Sequence, residues 1–360
     1  MIHSRPLPNS LQTDRQFPPE IIQLIVEASL DPREPWRGEN EPFYLRYAIL
    51  KKYSVLNSTW RGVSEPLLYN WVVLMSMLST RRFLKTAETR GGTLDEVRGL
   101  RISWEAANAS SISSTLRVIP QVVNISLFQG TVGIDDLAQL QQLRQLELDY
   151  VDVLGSPASS MLCLPSLQFL QLAQCTISTP RLLSPGDLPQ LRHLDFFSEA
   201  AVLTTLASLI PQLHALQVRH WHRDLFRTAA NLRLLVLPVF PSDRLEILSN
   251  PSSLPPFLSI DFGNSRAPSK ARQQVIDTLT ELLATTKIGL RVVLLHNGGI
   301  DDAIDALIKQ LEGRAIRVVR EEQKLDFDGA IRAMERVSAE EQRAEQKQAE
   351  ETSATGRRSK

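Results

Sequence analysis

One apolar spacing recurs through most of this chain of 360 residues: L-x-x-L-x-L, with aliphatic or aromatic residues at the marked positions. It is clearest in LPSLQFLQLAQC, residues 164 to 175, where Leu167, Leu170 and Leu172 carry it. The same frame fits Val97, Leu100 and Ile102, then Val122, Ile125 and Leu127, and then Leu143, Leu146 and Leu148. It continues in Leu191, Leu194 and Phe196, in Leu213, Leu216 and Val218, and in Leu232, Leu235 and Leu237, with Phe257, Ile260 and Phe262 as an eighth copy. First positions lie 19 to 25 residues apart. The alternating L-x-L suits a short half-buried strand, and the rest of each period is enough for a turn and a helical or irregular return. A unit of that kind cannot bury its apolar side alone, so successive copies stack, strand beside parallel strand.

On these residues the array resembles leucine-rich repeats. In the best copy Cys175 falls where that family carries Asn or Cys, a buried polar group that satisfies turn backbone, whereas other copies hold Val151, Glu199 or Trp221 there. Pro120, Pro165, Pro189 and Pro211 precede strands, which suits an extended approach because the residue before proline is pushed out of the helical region. Beyond the eighth copy, Ala271 to Thr286 reads as an amphipathic helix, Leu290, Val293 and Leu295 as a ninth strand, and Ile316 with Val319 as a tenth. From Glu321 the charge is mixed, a stripe of Ile331, Met334 and Val337 remains, and apolar periodicity then ends; the expectation is a solvated helix passing into a disordered tail.

Residues 17 to 30, FPPEIIQLIVEASL, do not share the repeat spacing. Pro19 and Glu20 suit a first helical turn, and Ile21, Ile22, Leu24, Ile25 and Val26 give a broad apolar surface. After a polar connector, Ile49, Leu50, Tyr53, Leu56, Trp60, Val63 and Leu67 recur at helical intervals. This segment resembles the F-box domain. The match lies in Phe17, Pro18, Glu20, Ile21 and the pair Ile25-Val26, and later in Val55, Leu56, Trp60, Arg61 and the stretch Pro66 to Tyr69. Leu56 replaces a common Cys, and the connector from Asp31 to Tyr44 is longer than usual. The resemblance implies docking on the Skp adaptor of a cullin-RING ubiquitin ligase, with Pro18, Ile21, Ile22, Ile25, Val26 and Trp60 as the expected adaptor-binding residues.

Lys and Arg number 40, as do Asp and Glu, so no net field favours nucleic acid or an anionic membrane. No apolar run reaches membrane-spanning length, and the first sixteen residues lack a signal-peptide core. Two cysteines, Cys163 and Cys175, make no disulfide framework, which points to a cytoplasmic or nuclear home. The strand, Gly turn and helix of RVVLLHNGGIDDAIDALIKQL place Asp301 and Asp302 in the first helical turn, where they stabilise the dipole and would repel a phosphate. His220 and His222 have no further ligand at metal spacing. No catalytic, cofactor or metal motif emerges.

The sequence therefore predicts an α/β chain: a disordered segment over 1–16, an F-box-like helical unit over 17–80, an irregular leucine-rich-repeat solenoid with parallel strands over 81–320, and a charged helix and tail over 321–360. The resemblance implies a non-enzymatic substrate receptor of an SCF-type ligase; the competing reading is a repeat scaffold with no ubiquitin role. Strand alternation aims the residues between the inner leucines at the open face. One ladder reads Arg101, Ser126, Glu147, Gln171, Asp195 and Gln217, and its neighbour Ser103, Phe128, Asp149, Ala173, Phe197 and Arg219. Phe128, Glu147, Asp149, Asp195 and Phe197 are the candidate substrate-binding residues.

Overall fold

The computed structural model describes residues 17–30, 41–103, 109–155, 163–177, 185–197, 208–218, 231–238, 255–261, 273, 276–277, 279–280, 290–296, 302–321, 325 and 327–358. Three helices come first: α1 (Pro19–Ser29), α2 (Glu41–Ser54) and α3 (Ser58–Asn70). Pro19 opens α1, where a missing N–H costs nothing, and the Asn57 side chain caps α3 by accepting the Trp60 N–H at 3.0 Å. Ile22, Val26, Leu30 and Leu50 form a separate small core with Trp60, Val63 and Leu67 packed against it.

No loop separates α3 from β1 (Trp71–Leu74), so the sheet begins inside the segment expected to be helical. There follow α4 (Met77–Thr89), β2 (Gly99–Ile102), α5 (Ala109–Arg117), β3 (Asn124–Gly133), α6 (Ile134–Ala138), β4 (Gln145–Leu154), β5 (Phe169–Ala173), β6 (Thr176–Ile177) and β7 (His193–Phe197). The series ends with β8 (Ala215–Val218), β9 (Leu234–Pro238), β10 (Phe257–Asp261), β11 (Val292–His296), α7 (Asp302–Glu312), β12 (Arg317–Glu321) and α8 (Phe327–Arg358). The chain is α/β. Among the described residues the sheet has twelve strands, paired throughout in parallel and, apart from the short β6 that extends β4, in chain order. Arg90 fastens the helical unit to it, pairing with Glu65 at 2.8 Å and Glu96 at 2.7 Å while lying 4.3 Å above the Tyr69 ring.

The repeated triads explain the sheet. All three members of each of the first seven copies lie in one continuous core, met by Phe83, Ile112, Leu116, Ile134, Leu137, Ile304, Leu307 and Leu311 from the intervening helices. Of the helix expected over 271–286, Ile276 and Leu279 join that core. Two expected registers are corrected. In β10, Leu258 and Ile260 stand beside Leu235 and Leu237, so Phe257 belongs to the opposite face, and Phe262 lies outside the described residues. In β12 the inner residues are Ile316 and Val318, whereas Val319 turns outward. Alternation fixes both results: in a strand an i, i+3 pair straddles the sheet.

The outer face has a core of its own. Phe169, Ala215, Leu234, Val236, Phe257, Val292 and Leu294 pack against Phe327, Ala330, Ile331, Ala333, Met334 and Val337 of α8. The helix expected to be solvated from Glu321 onward thus buries its first three turns across the later strands. Its stripe was visible in sequence; its target was not, because those outer residues are apolar only in the second half of the array.

A close approach at the first strands gives a direct test. A Cβ at Gly99 would sit 1.9 Å from a Trp71 ring carbon, whereas one at Gly62, in α3, would meet nothing. Gly99→Ala is expected to destabilise the protein by about 1–3 kcal/mol in urea unfolding. Gly62→Ala is expected to be neutral or to stabilise by up to about 1 kcal/mol.

Candidate functional site

Helix α1 has two apolar sides. Ile22 and Val26 are fully buried and hold the three-helix unit together. That corrects their expected role as contact residues, since a side chain consumed internally offers nothing to a partner. Trp60 is likewise engaged, stacked on Tyr53 at a centroid distance of 5.0 Å. Pro18 is exposed, and Ile21, Leu24 and Ile25 remain 41%, 61% and 37% exposed. Phe17 and the Val55-Leu56 turn add further uncovered apolar surface that the expected set omitted.

On the outer face of the sheet the two ladders form as alternation requires. Ser126, Glu147, Gln171, Asp195 and Gln217 stand side by side on successive strands, and Phe128, Asp149, Ala173 and Phe197 do so one row on. Arg219 lies outside the described residues. Helix α8 meets this face from Phe169 onward, so the earlier strands carry its uncovered part. Glu147 accepts a hydrogen bond from Gln145 at 3.1 Å, and Phe128 meets Tyr150 edge to face at 6.2 Å. Asp195 is buried, and Phe128 and Phe197 are half-buried, so the freely exposed aromatic of this patch is Tyr150. Its exposure follows from backbone conformation: Gln129, Tyr150 and Gln174 all have positive φ, a corner repeated on three neighbouring strands that no residue type announces.

Cys175, expected to satisfy turn backbone, instead meets carbonyls of the strands β4 and β5. Its sulfur lies 3.2 Å from the Leu148 carbonyl oxygen and 3.3 Å from that of Ala173, to which the thiol donates. Burial pushes this thiol up to about 11. The thiolate, the reactive form, is then scarce at neutral pH.

A Ser-His-Asp grouping, unforeseen because His296 on β11 comes 35 residues after Asp261 of the β10 pair Ser259 and Asp261, lies near the start of α8. His296 is buried on β11, its Nε2 3.0 Å from Ser259 Oγ and its Nδ1 3.8 Å from Asp261 Oδ1. The Leu325 N–H donates to Nδ1 at 3.2 Å, so the ring proton sits on Nε2 and points at the serine. Activating a serine nucleophile needs the reverse, an Nε2 lone pair facing the hydroxyl, and Ser259 is fully buried. This network pins the approach to α8. His220, His222 and Asp301 lie outside the described residues; Asp302 begins α7. Among the described residues no group of three metal-ligating side chains occurs, and no helix is long and apolar enough to cross a membrane.

A scan against protein-family models gives no match to this chain, and a search of curated proteins gives none either.

Two measurements check this chemistry. Exposed Cys163 is expected to react with a thiol reagent in the native protein, and buried Cys175 only on unfolding. Burial also raises the Asp149 carboxyl above its ordinary 3.8. The folded state then holds that proton more tightly than the unfolded chain, so stability from this group is gained as pH falls through the folded value. Asp149→Asn is expected to raise the urea midpoint near about pH 7, an advantage that vanishes near about pH 3, where the native carboxyl is also neutral.

Proposed function

We propose that this chain is the substrate-recognition subunit of a cullin-RING ubiquitin ligase of SCF type. Helices α1 to α3 are read as an F-box-like unit that docks on the Skp adaptor, and the sheet as an irregular leucine-rich-repeat solenoid that holds a protein substrate. The observation that carries this reading is the division of α1 into a buried side, Ile22 and Val26, and an exposed apolar side, Ile21, Leu24 and Ile25. A helix that served only to cap the array would have no use for that exposed side, whereas laying it in a partner's groove removes it from water. Strands paired in chain order at a spacing near two dozen residues, with buried Cys175 bonded to the neighbouring strand's Leu148 carbonyl, support the repeat reading. The uncovered early strands offer a face for substrate, with Tyr150, Phe128, Glu147 and Asp149 as its contacts.

The test is co-purification of the full chain with the Skp adaptor. An unpaired carboxylate buried in an apolar contact costs several kcal/mol, so Ile25→Asp is expected to abolish the complex. Because Ile25 is 37% exposed, the variant keeps a native circular-dichroism spectrum. Charge reversal at Glu147 and Asp149 is expected to leave the adaptor complex intact and to remove substrates seen by proximity labelling. A folded Ile25→Asp protein that still binds the adaptor would sink the assignment of α1. A wild-type chain that never binds it would leave a repeat scaffold.

A further inference from the structure

Arginines that lie 41 to 58 residues apart in the sequence come into one line at the rim where the chain enters the strands, with Val123 before β3, Gln168 before β5 and Pro256 before β10 between them. The residue just before each strand's first outward position is Arg98 for β2, Arg144 for β4, Arg192 for β7, His214 for β8, Arg233 for β9 and Arg291 for β11. Backbone hydrogen bonds fix the row. Gln168 N–H donates to the Arg144 carbonyl, Arg192 to Gln168, His214 to Arg192 and Arg233 to His214, at 2.7 to 3.0 Å. Neighbouring positions are therefore about 4.8 Å apart, and the stretch from Arg98 to Arg233 spans about 30 Å.

Arg98, Arg144, Arg233 and Arg291 are exposed, and Arg192 and His214 are half-buried. The described turns leading into β3, β4, β5, β7, β8 and β9 offer mainly Gln, Pro and apolar side chains between these cations; their single carboxylate, Asp187, is buried, and at the β2 end Asp95 is exposed while Glu96 is paired with Arg90. Burial and then the Arg192 and Arg233 charges hold the His214 imidazole below its ordinary range, as crowding of like charge requires. Arg98 and Arg192 also donate to turn carbonyls, Gln121 at 3.1 Å and Leu191 at 3.2 Å, which holds their guanidinium groups at the rim.

The far end of the row shows what it takes. Helix α8 seats Glu341 on Arg291 and Glu340 on the next strand's Arg317, the latter at 2.7 Å. We propose that the uncovered rim from Arg98 to Arg233 is a docking line for an acidic polypeptide segment. Its length suits about twenty residues of helix or about nine of extended chain. The row carries no Phe, Tyr or Trp on which bases would stack, and its one ring, His214, is half-buried, which favours a protein segment over single-stranded nucleic acid. The surface is separate from the adaptor and substrate faces, and the proposal holds whichever way the ligase reading falls.

The experiment uses the full chain and a fluorescein-labelled Glu-rich peptide of about twenty residues, followed by anisotropy. Binding is expected at about 50 mM salt and to fall steeply toward about 300 mM, with a Gln-substituted peptide silent. The triple variant Arg144→Glu, Arg192→Glu, Arg233→Glu is expected to bind at least about tenfold more weakly, and the corresponding Gln variant follows it should the first misfold. Arg81→Glu with Arg82→Glu, on α4, is expected to leave binding unchanged. Equal weakening by the rim and α4 variants would reduce the effect to bulk charge and overturn the proposal. No salt-dependent binding, or tighter capture of a mixed-sequence single-stranded oligonucleotide than of the peptide, would also overturn it.

Discussion

A parallel sheet exposes a pleated surface on two sides, and both sides of such a sheet are normally covered. In this protein the described return segments cover the inner side: Phe83, Ile112, Leu116, Ile134, Leu137, Ile304, Leu307 and Leu311 meet the inward leucines of the strands. The outer side has no such built-in cover. Its later strands present Leu234, Val236, Phe257, Val292 and Leu294, and α8 lies across them. Its earlier strands present Arg101, Glu147, Gln171 and Asp149, which tolerate water. The division of the outer face into a closed half and an open half follows from that change in composition, and it determines where a partner finds room.

The helical unit shows the same logic on a smaller scale. With Ile22, Val26, Leu30 and Leu50 buried together, three helices hold a core without help from the sheet. The absence of a loop between α3 and β1, and the Arg90 contacts to Glu65, Glu96 and Tyr69, fix the unit's attitude to the first strands. Whatever binds the exposed side of α1 is thereby held in a set direction relative to the open face.

Much of the inner architecture was legible beforehand because period and burial are the same fact there. Leu146 and Leu148 are buried for the reason that put them two apart, and the outward ladders follow by alternation. Where the period loosened, legibility failed in small ways. Phe257 looked like the opening of an eighth copy because Ile260 follows it at the right interval, yet Leu258 is the inward residue. Val319 was misassigned on the same ground. In α1 the five aliphatics spread over more than half of the helix surface, so the polar stripe of Glu20, Gln23 and Glu27 does not settle which of them are consumed internally.

The sequence alone determined the α/β class, the parallel order implied by a repeating strand and return, the inner core and the two outer ladders. Each depends on residues within one period, and local alternation carries that information. The tertiary structure decided the rest: the cover of α8 over the later strands, the burial of Asp195, the meeting of Ser259, Asp261 and His296, and the alignment of Arg144, Arg192 and Arg233. The cover of α8, the contact of His296 with Ser259 and the arginine alignment join residues separated by one or more whole repeats. Stacking turns that separation into an interval of a few ångströms, and no neighbouring residue in the chain records it.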